Sequence, residues 1–238
     1  MFDNLGYFVT TLLHGAVATV IATVGGSVLA AVCAFVSGLM GVSRSTAVRT
    51  VSRIYVEFFR GTSELVQLYW VYFALPLLIG FKLVPLWAGV LVLGLNLGAY
   101  GSEVVRGAVL SVPQGQYEAA VALNLPRAQR MRRVILPQAI VGMLPPFNNL
   151  LIQLLKATAI ISLVQVHEMT FFAYQLVHNY GQSALIFGIL LIFYFVLAYL
   201  ITLGMRLLER RANASIGKPQ PPLFQTSKAA RLRTEGAA

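Results

Sequence analysis

The chain has 238 residues, 58% of them hydrophobic and only 11% charged, with mean hydropathy +0.75 and a formal net charge of +10. A soluble domain carries charge on about a quarter of its residues, so the composition excludes a soluble enzyme and indicates a single membrane domain. Net charge of this sign could suit nucleic acid, but the basic residues are dealt out to alternate connections rather than gathered on one face, which excludes that class.

Five apolar runs follow, each near or above the roughly 20 residues that a helix needs to cross a bilayer. The first covers 8–40. Gly25, Gly26 and Ser27 within it are small enough to permit close helix contact. Cys33, the sole cysteine, lies in this run and reads as a packing residue with neither a disulfide nor a metal role. His14 reads as interfacial. Nothing basic precedes Arg44, so the positive segment of a cleavable signal peptide is missing and this span is expected to stay in the mature protein. The second run covers 65–80, with an onset as early as Tyr55 left open and Glu57 and Arg60 at its end. The third covers 83–105.

A basic connection, 111–139, comes next. Pro113 suits the first turn of a helix, and a helix is expected over 117–125. Ala119, Ala122 and Leu123 would share one of its faces by their three- and four-residue spacing, and small residues there let a groove on another protein close around it. Pro126 and Pro137 are expected to break the remaining path into short segments, so that the connection stands out as a knob. The fourth run covers 140–166 and contains Lys156. A lysine at the bilayer centre costs at least about 2.5–3.5 kcal/mol, so it should not face lipid. Asn149, Gln153 and Lys156 form one polar stripe by their spacing, whereas Thr158 points elsewhere. The stripe should face a partner helix or a water-filled path; pairing of Lys156 with backbone carbonyls or with Glu64 is the structural alternative.

His167-Glu168 opens like a zinc-protease helix, but Phe171 stands where the second histidine would be, so no metal site is expected and both residues fit the outer connection. Ser43, Ser45 and Ser162 have no companion base, which leaves no nucleophile constellation and counts against an intramembrane enzyme. The fifth run covers 184–208. After Arg211 the composition turns polar and proline-rich, and 212–238 is expected to be a disordered tail, with 1–211 forming the membrane domain. No internal repeat is evident, which counts against a transporter built from two inverted halves. Sixteen of the eighteen Lys and Arg lie around the first and third connections or follow the last span. By the positive-inside rule the N-terminus is outside and the C-terminus cytoplasmic.

The segment 117–139, YEAAVALNLPRAQRMRRVILPQA, resembles the cytoplasmic EAA loop of the membrane subunits of bacterial ATP-binding-cassette importers. Ser111-Val112-Pro113, Gly115-Gln116, Glu118-Ala119-Ala120, Ala122-Leu123 and Ile135-Leu136-Pro137-Gln138-Ala139 make it similar to the polar amino acid branch. The resemblance continues in Leu144-Pro145-Pro146, Asn149, Lys156 and Thr158. It implies an all-α, type I importer permease of about five spans in the bacterial inner membrane. It also implies that Glu118, Ala119, Ala120, Leu123, Asn124 and Leu125 form the coupling helix that meets the ATPase. Asn124 stands where the family usually has Gly, and Asn also tolerates left-handed backbone angles.

By the same resemblance Asn149, Gln153, Lys156, Ala157 and Thr158 lie on the translocation path. Many members have Asp or Asn after this lysine; Ala157 here weakens the case for a cationic substrate. Ala-Leu-Asn in the loop with Leu-Leu-Lys-Ala-Thr in the span looks most like the ectoine and hydroxyectoine permeases, with a generic polar amino acid such as glutamine or glutamate as the alternative. The chain has no phosphate loop, since Gly217-Lys218 is followed by Pro219. ATP and Mg are therefore expected on partner ATPase subunits. The remaining partners implied are a second, identical or different, permease chain, an extracytoplasmic solute-binding protein and membrane lipid. A passive channel is the rival of another class.

Overall fold

The computed structural model describes residues 4–215. α1 (Leu5–Gly41) is one rod of 37 residues, long enough to tilt across a bilayer. α2 (Thr46–Gly61) returns from its end and then stops. α3 (Glu64–Tyr69), a π turn at Trp70–Ala74 and α4 (Leu75–Ile79) continue at 99° to α2. The second span is thus a bent pair, and Tyr55 lies on the far side of the bend rather than at the start of one continuous helix. Thr62 is extended at the break. Side chains replace the lost backbone bonds there: the Thr62 hydroxyl donates to the Phe58 carbonyl at 2.7 Å, and the Gln67 amide donates to Thr62 Oγ1 at 2.6 Å and to the Phe59 carbonyl at 3.1 Å. Gly80, at φ 69°, ends α4 in the left-handed region that glycine adopts without strain.

α5 (Pro85–Leu110) starts on Pro85, where a missing N–H costs nothing. After the connecting helix α6 (Gln114–Ala122), the chain forms a single rod over Arg127–Val164. It is built from α7 (Arg127–Arg130), a π turn at Met131–Ile135, α8 (Leu136–Ala157) and a 3-10 turn at Thr158–Val164. Pro137 therefore does not break the path. A proline clashes with the carbonyl four residues back, here Arg133, and the wider π turn lies there to take the strain. α9 (Met169–Tyr180) is a short helix in what the sequence presents as a plain connection. α10 (Ser183–Ser215) continues past Arg211, so 212–215 are helical rather than part of a tail; 216–238 lie outside the described residues.

α5 is the central post: most of its apolar length is buried, whereas α10 is largely exposed. It runs parallel to α1, because the contacts climb together along both chains. A Cβ on Gly94 would meet Leu29, one on Gly98 would meet Cys33 at 2.6 Å and the Tyr55 hydroxyl at 2.8 Å, and one on Gly38 would meet Val105 at 2.6 Å. Lipid is as apolar as leucine, so close van der Waals contact between small residues has to hold such helices together. Gly25 and Gly26 face Val90 and Leu154 more loosely, at 3.3 and 3.1 Å. α2 is fixed to the same post by Tyr55, whose hydroxyl donates to the Leu95 carbonyl at 2.7 Å, and by Asn96, whose amide donates to the Phe59 carbonyl at 2.8 Å.

Gly98→Val should therefore pry α1, α2 and α5 apart, costing about 1–3 kcal/mol. Gly107→Val, where nothing lies within 4 Å, should cost far less. Thermal unfolding of the two variants in detergent tests the contrast, and equal melting temperatures would show that the contact is loose.

Candidate functional site

The connecting loop is built on its own small core. Val109, Val112, Ile135 and Ala139 are buried there, with Tyr117 packed against them. The Tyr117 hydroxyl donates to the Val109 carbonyl at 3.1 Å, and burial pushes this phenol above the usual tyrosine value. The Gln138 amide donates to Gln116 Oε1 at 3.1 Å, tying the loop to the rod. α6 ends three residues earlier than the sequence suggests, and Leu123, Asn124 and Leu125 form its cap. Asn124 takes φ 51°. The Leu125 N–H donates to the Ala120 carbonyl at 3.1 Å and the Asn124 N–H to the Val121 carbonyl at 2.8 Å. This is a Schellman end, with asparagine in the seat glycine usually takes.

The cap sets which side chains a partner can meet. Glu118, Ala119 and Ala122 are exposed, and Leu123 is 74% exposed at the tip. Ala120 is 2% exposed and faces the loop's own base. Of the residues expected to meet a partner, Ala120 is thus a packing residue of the knob and its neighbours form the outer surface.

The second assembly lies toward the far end of the rod. Asn149, Gln153, Lys156 and Ala157, with Ile152 and Ile160, line a cavity of about 480 Å³ that Glu64 closes from the bend of the second span. The polar stripe is thereby brought together on one wall. Glu64 sits in the first turn of α3, where a carboxylate is favoured by the helix dipole. It makes no ion pair with Lys156 among the described residues. Thr158 is not part of this wall; it is fully buried and its hydroxyl donates to the Leu155 carbonyl at 2.7 Å. Glu64 as an opposing wall is not readable from spacing, because the 99° bend places it there.

A third polar cluster was hidden from sequence. Glu168 is fully buried and caps α9, accepting from the Phe171 N–H at 2.8 Å. Its other oxygen accepts from the Tyr194 hydroxyl at 3.1 Å and from Thr19 at 3.4 Å. Burial raises the carboxyl above its usual value, although these donors pull the other way. The approach depends on Gly15, where a Cβ would meet the Glu168 and Met169 backbone at 2.8 Å. His167 stays exposed, edge-on to Phe171. Among the described residues no three His, Cys, Asp or Glu come together as metal ligands.

The family described as binding-protein-dependent transport system inner membrane component matches residues 26–214. A probable amino-acid ABC transporter permease protein of Sinorhizobium fredii is 46% identical over 201 residues, covering 82% of this chain and 84% of that protein. The arginine transport system permease protein of Bacillus subtilis is 33% identical over 207 residues, covering 86% and 93%. Among solved structures, a chain from an amino acid ABC transporter crystallised with histidines is similar at TM-score 0.81 and 30% identity, over 89% of this chain and 98% of that one.

The Glu168 carboxyl supplies its own testable expectation. A raised native pKa means that its contribution to stability is full below its ordinary value of 4.5 and is lost as pH rises through the raised value. The wild-type melting temperature should fall across that window, and Glu168→Gln should lack that component while keeping the cap. Parallel curves for the two proteins would show that the carboxyl does not titrate there.

Proposed function

The chain belongs to the binding-protein-dependent transport system inner membrane components, and from that membership we infer that it is the permease subunit of an ATP-driven amino acid importer. It is a transport subunit and not an enzyme, and ATP hydrolysis belongs to a separate subunit. The working assembly we propose has two permease chains, two ATPases carrying ATP and Mg, and an extracytoplasmic solute-binding protein. Residues 4–211 lie in the membrane domain, with the N-terminus outside and the loop and C-terminus in the cytoplasm; the distribution of Arg and Lys supports that orientation.

The exposed face of α6, with Glu118, Ala119 and Ala122 and with Leu123 at the tip, docks in a groove of the ATPase. Small side chains let the groove close, and Leu125 and Asn124 hold the knob's shape. The rod then connects the loop directly to the cavity wall, with ATPase movement entering at one end and the solute site lying toward the other.

The single observation that carries the substrate reading is the cavity with Lys156 on one wall and Glu64 on the other, unpaired. Opposite charges held apart across a wet cavity match a zwitterion, with its carboxylate toward Lys156 and its cationic end toward Glu64. Beside protein walls such pairs are stronger than in bulk water. Asn149 and Gln153 add neutral hydrogen-bonding groups. The ligand is thus a polar amino acid or a compact solute derived from one. The loop and span motifs favour ectoine-like solutes, with glutamine or glutamate as the alternative. The Bacillus subtilis relative is named for arginine, and Ala157, where many members have an acid or amide, supports a substrate without a second positive charge here.

Two variants of the loop separate docking from folding. Ala119→Trp should leave the permease stable and folded yet block co-purification of the ATPase and uptake. Ala120→Leu, at a buried site, should instead destabilise the subunit by about 1–3 kcal/mol. Melting curves and pull-down of the ATPase read the two effects independently. Substrate-stimulated ATP hydrolysis at the normal rate in Ala119→Trp would remove the docking role.

Lys156→Met keeps most of the side-chain stem and removes the charge. Loss of a hydrogen bond to a charged group costs about 1.5–3 kcal/mol, so ATP-driven uptake in vesicles should fall roughly ten- to a hundredfold. Solute affinity of the extracytoplasmic binding protein should stay unchanged. Unaltered uptake would make the lysine structural, and uptake without ATP would favour a passive channel.

A further inference from the structure

The α2 helix also lines a second cavity, of about 520 Å³, that shares no residue with the one at Lys156. It opens toward the loop end of the molecule. Arg49, Arg53, Glu57 and Arg60 follow at spacings of four, four and three, which puts them on one face of α2. Glu103 and Arg106 complete the wall from the last turns of α5. Four arginines against two glutamates leave two positive charges in excess.

Most of these arginines are held in place. Arg106 donates two hydrogen bonds to Glu103 Oε2, at 3.0 and 2.7 Å. Arg49 donates to the carbonyls of Ser43 and Arg44 and to Thr46 Oγ1. The Arg60 guanidinium lies 5.1 Å from the centre of the Tyr100 ring. Arg53, between them, has no partner among the described residues.

Charge decides what this strip faces. Tyr100 is ten residues from the end of α5, so Arg60, which lies against its ring, is about 15 Å along α5 from the loop end. A line of four charged side chains of that length on one helix face is costly to set against hydrocarbon. α2 has a separate strip for an apolar neighbour: Val51, Ile54 and Phe58 are 57%, 64% and 58% exposed on another side. The charged strip therefore faces water.

We propose that this cavity is an exit vestibule and that Arg53, with Arg60 and Arg106, forms a second, weaker carboxylate station on the cytoplasmic side of the Lys156 site. The proposal rests on the reading of the chain as a permease. A solute leaving Lys156 meets a hydrated, net-positive passage beyond the α2–α3 bend. There its carboxylate is attracted, and a solute of net positive charge is repelled. Specificity is then set twice, by shape and charge at the inner cavity and by charge alone at the exit.

Thiol labelling of the assembled transporter in phosphatidylcholine nanodiscs tests this directly. Thr50→Cys places a thiol on the vestibule wall, and the parent chain, with Cys33 alone, is the blank. The anionic reagent sulfonatoethyl methanethiosulfonate should react faster than the cationic trimethylammonioethyl reagent. Adding Arg53→Gln should lower the ratio of the two rates about fivefold, the effect of one unit charge roughly 8 Å away in water on probes of opposite sign. Glutamate added as a probe should slow the anionic reagent when Arg53 is present and not in Arg53→Gln.

Equal rates for the two reagents would overturn the proposal. So would no labelling by either, which would mean that lipid or a partner chain covers the strip. Slow labelling confined to nanodiscs rich in phosphatidylglycerol would assign the arginines to a lipid headgroup instead. Labelling does not require turnover. The vestibule can thus fail while Lys156→Met still lowers uptake, and it can stand if Lys156→Met transports normally.

Discussion

Everything else in this molecule is placed by the close parallel contact between α1 and α5. Where Gly94, Gly98 and Gly38 meet Leu29, Cys33 and Val105, there is no room for even one added carbon. In a bilayer this contact gains little from excluding water, so dispersion between tightly fitted atoms has to supply the attraction. The other elements are seated on the same post. Tyr55 hangs α2 from the Leu95 carbonyl. Gly101 receives the edge of Phe147 from the rod, and Gly89 receives Ile161. The arginine-lined cavity is a gap between the end of α1, α2 and α5, so this contact sets its width.

The two cavities stand on either side of a single bend. Side chains of Thr62 and Gln67, rather than a continuous helix, carry the hydrogen bonds across it. The turn sends Glu64 toward the rod and leaves Arg60 against α5. An unbroken helix would have put both charges on one straight axis and could not have faced two spaces. The interrupted geometry, though costly in backbone bonds, separates the cavity at Lys156 and Glu64 from the arginine-lined one within four residues of chain.

Much of this could be read from residue order alone. Spans one, three, four and five are long apolar stretches, and each carries a helix, although the fourth starts at Arg127, well before its apolar run. The stripe of Asn149, Gln153 and Lys156 needs only helical periodicity, so its common wall was visible too. The second span misled because α2 is amphipathic. Its arginine strip dilutes the hydropathy that marks a span, although the four-four-three spacing was there to be seen. Pro137 misled for another reason: a π turn absorbs it, and no local propensity announces a π turn. Glu168 was out of reach. Its burial depends on Gly15, some 150 residues away, letting the start of α9 come close. Ala120 and Ala119 are chemically identical neighbours, and only the way α6 sits on its base gives them opposite tasks.

The rod from Arg127 to Val164 has 38 residues, or about 57 Å by helical rise, nearly twice the thickness of the hydrocarbon core. It is gripped near Phe147, which stacks on Phe35 with ring centres 6.2 Å apart and packs against Gly101. About 30 Å of helix separates that grip from the loop end, and about 14 Å separates it from Lys156. The rod is held again on either side of Lys156, where buried Leu154 meets Gly26 and Ile161 packs onto Gly89. The cavity wall is therefore clamped at three points, and the stretch toward the loop is the one long arm that projects beyond them.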